Sequence, residues 1–478
     1  MRSDKTSLPN HIRIVYSVEL NLFFLASSLF LYIYAQGTNC VPDAYKVIYL
    51  FWHIACSLIA IKRYGFFSVY ALFLMFLMFF IYDSLFFDLI NYPKFEDFCH
   101  ITFPTSMTFS VKTANLFLFY SSVFLFVLDI TYNFFAQGKI VHSEIFETKS
   151  KTHSSIIYIA SLSIIILLPV IIYRFLVVLI YTRNHGYIYV ILNGIPDEVF
   201  PTWTNGISGI CYSLFLILFI HIPRKKTMLK MMFVWGIIRL LKGSAGNRGQ
   251  FLYSFFALTV SYMAFFKSKH IKLYKAVLIG ASLMTFAIYV GQTRYGKDKK
   301  IDITLFNFLA SQTGSRTVAL TIIDGDIPYR RYPFIFSGEN IQNKNSLSRL
   351  ENIKRRNSIN QLTSYKISPK VTLNGRGLGG SVLAEFIDCG GLFGVIFWTF
   401  ILAFFIILAD NIKFVPNFLR PFIYLIMVNL FHAPRGYFFH FLSSFQYYVF
   451  AIFLYFIIKF FCEYGLSRYG GQTYERIR

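Results

Sequence analysis

Charged residues are scarce in this chain: only 14% of its 478 residues are Asp, Glu, Lys or Arg, where a soluble domain carries roughly 25%. That shortage excludes a secreted enzyme, a disordered scaffold and a single-anchor receptor. Acids are scarcer than bases, 23 against 46, which leaves a formal net charge of +23. On a soluble protein such an excess suggests nucleic acid. On a chain this apolar about half of it serves topology, because Lys and Arg hold loops in the cytoplasm, and nucleic acid is not expected as a partner. Cysteine is also rare. The six cysteines are thinly spread without metal-ligand spacing, so no metal or other cofactor is expected. Cys40 and Cys99 would face the same oxidising side, where a disulfide between them can form. No H-E-x-x-H, Walker A or G-x-S-x-G sequence occurs, no repeat of fixed period is visible, and the first apolar run reads as a true span, not a cleavable signal.

What the chain has in abundance is apolar and aromatic side chains, 56% and 20% of the residues. A stretch of about 18 apolar residues without charge reads as a membrane-spanning helix. Twelve such spans fit, near 14–35, 44–62, 66–83, 114–135, 155–181, 206–222, 228–242, 250–267, 273–291, 381–409, 418–433 and 437–461. With the N-terminus inside, the cations alternate correctly from loop to loop. Arg2, Lys5 and Arg13, then Lys62 and Arg63, then Arg224, Lys225 and Lys226 fall in the cytoplasm, and both termini are predicted to be cytoplasmic. The expected organisation is membrane helices one to nine in 1–290, a large extracytoplasmic loop in 291–380, helices ten to twelve in 381–461, and a cytoplasmic tail in 462–478.

The large loop is rich in cations, and a loop of that length is usually functional or disordered. Ile303 to Leu309 and the Leu347, Leu350, Ile353 spacing predict short helices capping the bundle. Its end carries the strongest local signal, Asn374-Gly375-Arg376-Gly377-Leu378-Gly379-Gly380-Ser381, followed by Glu385. A glycine-rich turn before a helix N-terminus aims backbone N–H groups at an anion, and Arg376 adds a planar fork suited to phosphate. The plain alternative is a flexible membrane-entry turn with Ser381 as N-cap. Glu385 either complements the helix dipole or serves as a partly desolvated base.

Lys242-Gly243-Ser244-Ala245-Gly246-Asn247-Arg248-Gly249 places another arginine among small residues at the same surface. Arg294 and Arg316 repeat that format, and together these arginines would satisfy a diphosphate. Arg174 and Arg239 lie within or near spans, where a charge is costly and therefore suspect; snorkelling to the interface accounts for Arg239 more simply. His432 and Arg435, in Phe431-His432-Ala433-Pro434-Arg435-Gly436, occupy the last external hairpin with His440 nearby. A histidine there can take a proton near neutral pH. Asp324-Gly325-Asp326 has the D-x-D spacing of metal-using transferases, although a turn is the commoner reason for it.

These features resemble the Wzy-type O-antigen or capsular repeat-unit polymerases of bacterial inner membranes. The resemblance is carried by Asn345, Leu347, Arg349, Leu350 and Pro369, by Gly375 to Ser381 with Ala384, Glu385 and Phe386, and by Gly391 and Gly394. The turn Gly246-Asn247-Arg248-Gly249-Gln250 adds to it. Asp388-Cys389 before the glycine pair departs from the usual aromatic or Asn. The implied fold is an all-α polytopic membrane protein, a GT-C-like bundle of about twelve helices with one large periplasmic loop of short helices. The implied reaction is metal-independent transfer of an undecaprenyl-diphosphate-linked glycan to a lipid-linked repeat unit at the periplasmic face. The implied partners are those lipid-linked oligosaccharides, the membrane and a chain-length regulator protein. In this scheme Arg248, Arg294, Arg316, Arg376, Gly377, Gly379 and Arg435 bind the diphosphate, and Glu385 or His432 acts as base. A flippase or exporter, and an O-antigen ligase, are the competing readings.

Overall fold

In hydrocarbon every backbone N–H and C=O must find its partner within the segment, so apolar runs of this length fold as helices. The computed structural model describes principally residues 10–38, 40–91, 98–101, 107–136, 151–185, 203–222, 224–244, 248–266, 314–325, 359–373 and 379–475. In chain order the helices are α1 (Asn10–Ala35), α2 (Asp43–Tyr64), α3 (Val69–Leu77), α4 (Asp83–Leu89), α5 (Val111–Ala136), α6 (Lys151–His185), α7 (Trp203–Ile220) and α8 (Lys225–Ser244). They continue as α9 (Arg248–Phe266), α10 (Gly314–Ile323), α11 (Ile359–Ile367), α12 (Pro369–Leu373), α13 (Val382–Asp388), α14 (Gly391–Asp410), α15 (Arg420–His432) and α16 (Phe445–Glu475). One antiparallel ribbon pairs His100–Ile101 with Met107–Thr108.

Among the described residues, eight segments are long and apolar enough to cross a membrane. The chain is an all-α polytopic membrane protein. The predicted spans at 228–242, 250–267 and 418–433 coincide with α8, α9 and α15, which are shorter or less apolar. Only isolated positions of the span predicted at 273–291 are described, and the helices expected around Ile303 and Leu347 lie outside the described residues.

Two predicted spans are interrupted. The first divides into α3, a π-helical turn at Met78–Tyr82, and α4; a π turn inserts an extra residue and swings the following side chains around the axis. The second divides into α13 and α14 at Cys389–Gly390, where Gly390 and Gly391 take φ of +138° and +58°. Those angles are easy for glycine and strained for other residues. Gly394 allows the chain to double back, since a Cβ there would lie 2.2 Å from the Phe386 carbonyl oxygen.

α5 is the central strut, packing against α1 on one side and α14 on the other. Its polar residues hold the bundle together at the end where α14 finishes. Asp410 accepts the N–H groups of Val69 and Tyr70 at 2.8 and 3.1 Å and the hydroxyl of Tyr132 at 2.8 Å. Asp129 takes the Tyr70 hydroxyl and, at 2.7 Å, the Asn21 amide, whose oxygen accepts from Trp52 at 2.9 Å. A carboxylate in an apolar bundle is tolerable only when fully hydrogen-bonded, and these two are tied to four helices. No disulfide joins Cys40, which is exposed, to Cys99, which is buried. The Asp324-Gly325 turn ends α10: Gly325 has φ +85° and Asp324 accepts the Thr113 hydroxyl at 2.7 Å.

Candidate functional site

A cavity of about 910 Å³ opens between α6, α7, α8, α9, α15 and the 3-10 turns Ala433–Arg435 and Phe438–Ser444. Among the described residues Arg174, Arg239, Arg435 and Lys242 line it with His432 and His440, and no Asp or Glu does. A concave site with cations and no acid attracts an anion and raises its local concentration.

Each cation is placed by the local fold. Arg174 lies eleven residues before the end of α6 at His185, about 16 Å along the axis at ~1.5 Å per residue, so the cavity reaches well into the bundle. Its guanidinium donates to the Thr204 carbonyl at 2.9 Å and to the Asn205 side chain, which orients it from the start of α7. Arg239 and Lys242 are three apart on α8 and therefore share a face. The Arg239 guanidinium rests over Trp235 and Tyr212, 4.6 and 5.0 Å from the ring centroids. Those two rings stack at 5.2 Å, and Phe215 continues the column against Trp235 at 4.6 Å. Stacking of this kind fixes a guanidinium plane while leaving its N–H groups for a ligand.

The opposite wall belongs to the last hairpin. His432 ends α15 with its ring 5.1 Å from Tyr253 and 6.0 Å from His440. Arg435 passes over the Phe80 ring at 5.7 Å, within the π-helical turn, so that interruption helps to seat the cation. The hairpin itself is fastened to the Gly379–Gly380 turn. The Gly380 N–H donates to the Arg435 carbonyl at 2.8 Å, and a Cβ on Gly379 would come within 3.2 Å of Arg435 Cγ. Ser381 then caps α13 by accepting the Ala384 N–H.

The residues singled out in the sequence are therefore distributed unequally. His432 and Arg435 line the cavity, and Gly379 packs on Arg435 from behind. Arg248 opens α9 beside Gly249, which lines the cavity. Arg294, Arg376 and Gly377 lie outside the described residues. Arg316 does not reach the cavity: it is buried under Phe98, 4.6 Å from the ring, and its positive charge acts on buried Asp83. Glu385 is wholly buried behind the hairpin, where its Oε2 accepts the Phe438 N–H at 2.8 Å.

Arg174 and Arg239 are the cations that depth in an apolar run made suspect, and depth is the signal that would have found them. For Arg239 snorkelling is not the explanation, because its guanidinium is held by aromatic rings inside the bundle. Lys242 was visible only as the first residue of the small-residue turn. Tyr212, Trp235 and Asn205 had no local signal at all. A family model described as O-antigen polysaccharide polymerase Wzy matches residues 18–465, and no curated protein and no solved structure matches the chain.

Proposed function

The chain belongs to the O-antigen polysaccharide polymerase Wzy family, and we propose that it joins lipid-linked glycans in the cavity just described. The donor in this reading is an undecaprenyl-diphosphate-linked glycan. The acceptor is the non-reducing end of a lipid-linked repeat unit, and the reaction takes place at the periplasmic face of a bacterial inner membrane. The observation that carries the proposal is the convergence of Arg174, Arg239, Lys242 and Arg435 on one cavity without an acid among its described lining residues.

The chemistry asks for such a site. The bond from the anomeric carbon to a diphosphate oxygen breaks, and its electron pair leaves with undecaprenyl diphosphate. The acceptor hydroxyl oxygen forms the new bond to that carbon, and its proton passes to His432, whose ring lies in the same wall as Arg435. Cations already in place stabilise the charge growing on the leaving diphosphate without reorganising, which is worth most where water is excluded. Neutralisation by the protein's own cations makes the transfer metal-independent. Arg248 stands at the start of α9, where the helix N-terminus also favours a phosphate. Arg294 and Arg376 are proposed as further diphosphate ligands from the polar loop. Arg316, whose charge acts on buried Asp83, is proposed to hold that loop's α10 in place.

The test is a lipopolysaccharide ladder from cells whose only copy is Arg239→Ala or His432→Ala, at wild-type abundance. Core carrying a single repeat is the expected result. Unsubstituted core would indicate a ligase, and loss of repeat units from the surface a flippase. A normal ladder from both variants would remove the cavity from the mechanism.

A further inference from the structure

The glycine-rich turn and the cavity hairpin meet at three consecutive points. The Gly380 N–H donates to the Arg435 carbonyl at 2.8 Å. The two backbones then touch, such that a Cβ on Gly380 would lie 2.8 Å from the Gly436 carbonyl oxygen. One helical turn later Glu385 Oε2 accepts the Phe438 N–H at 2.8 Å, with the Phe439 N–H contributing as well. Between these contacts the hairpin carries Arg435 into the cavity, and Gly436 sits flat on the imidazole of His432: a Cβ there would fall 2.2 Å from the ring.

Glu385 has 0% exposure and is not among the residues lining the cavity. A base must come within hydrogen-bond reach of the proton it removes, and this carboxyl does not line the cavity but holds the Phe438 N–H. Its other oxygen, Oε1, is buried with no hydrogen-bond partner among the described residues. A carboxyl kept so deeply at such a cost is doing something an apolar residue cannot do. We propose that Glu385 is a positioning residue, which accepts the Phe438 N–H to fix the hairpin that presents His432, Arg435 and His440 to the lipid diphosphate. The inference rests on the cavity being the diphosphate site.

The neutral form suffices for this task. The carbonyl oxygen of a protonated carboxyl accepts an N–H as an amide oxygen does. Glutamine therefore preserves the contact and alanine deletes it. A displacement of about 1 Å at the reacting groups costs up to roughly 100-fold.

The experiment measures transfer kinetics on a synthetic undecaprenyl-diphosphate-linked repeat unit with the full-length protein in nanodiscs, comparing Glu385→Gln, Glu385→Ala and Arg239→Ala. Glu385→Gln is expected within about threefold of wild type, because the acceptor is kept. Glu385→Ala is expected to lose roughly 10- to 100-fold in kcat/KM, with KM for the lipid diphosphate rising because Arg435 is no longer held. If Glu385→Ala does not accumulate, Glu385→Asp, one methylene too short to reach Phe438, is expected to show the same KM rise. A glutamine variant as inactive as the alanine variant would make Glu385 a base and overturn the inference. An alanine variant with wild-type kinetics would also overturn it. If Arg239→Ala is disabled while Glu385→Ala is not, only this inference fails. If Arg239→Ala is fully active, the reading of the cavity fails with it.

Discussion

The guanidinium carbon of Arg239 lies 4.6 Å from the ring centroid of Trp235. That contact places a permanent charge on the inner face of α8 and gives it an orientation, where an unstacked cation would have only a position. In a desolvated setting the attraction is worth about 2 kcal/mol, which offsets part of the cost of charge at depth.

Arg239→Lys is accordingly expected to retain less than half of the wild-type activity, and Arg239→Ala to lose roughly 100-fold, the usual consequence of removing one preorganised group that stabilises a leaving charge. Lysine keeps the charge and loses the planar fork. Transfer rates on a lipid-linked repeat unit, at matched protein amounts, separate the two. Equal rates for the lysine variant and wild type would show that the stacked plane is not used.

Asp410 answers a different question. Its carboxylate satisfies the Val69 and Tyr70 N–H groups and the Tyr132 hydroxyl, and it ends α14, roughly 30 Å from Gly391 at ~1.5 Å per residue. Asp410→Ala leaves three buried donors without an acceptor, a loss of about 3 kcal/mol or more. Thermal unfolding in detergent should move to lower temperature, while activity per folded molecule stays near wild type. A large activity loss with an unchanged Tm would contradict this division of labour.

The glycines make a paired prediction. Gly380→Ala drives a Cβ to 2.8 Å from backbone at Gly436, whereas a Cβ on Gly236, inside α8, meets nothing within 4 Å. Gly380→Ala should therefore push the hairpin away and reduce polymer length sharply. Gly236→Ala should leave activity intact and add up to about 1 kcal/mol of helix stability. Ladder length and Tm of the two variants, measured side by side, check the contrast.

Much of the bundle was legible in the sequence, because an apolar run in a membrane has one economical conformation. The breaks in that pattern were not. The glycine pair Gly390-Gly391 lay inside a predicted span, where single glycines are tolerated, so it did not by itself say that the helix would stop at Cys389 and restart. Part of the cavity's lining was legible and part was not. Small residues around arginines suggested an anion site, and His432, Arg435 and the neighbourhood of Arg248 do meet the cavity. Arg316 carried the same local signature, yet its charge is directed at Asp83, whose position in the fold its own neighbours in sequence do not reveal.

Composition and hydropathy by themselves settled that this is a multi-pass helical protein, since hydrocarbon leaves a backbone no other partner than its own helix. They also marked Arg174 and Arg239 as costly enough to need a reason. Only the tertiary structure decided which cations share a cavity and that Glu385 binds a backbone N–H fifty-three residues away. The reason is that such contacts join segments distant in the chain, through side-chain directions set by helix rotation, a π turn and the glycine break at Gly390.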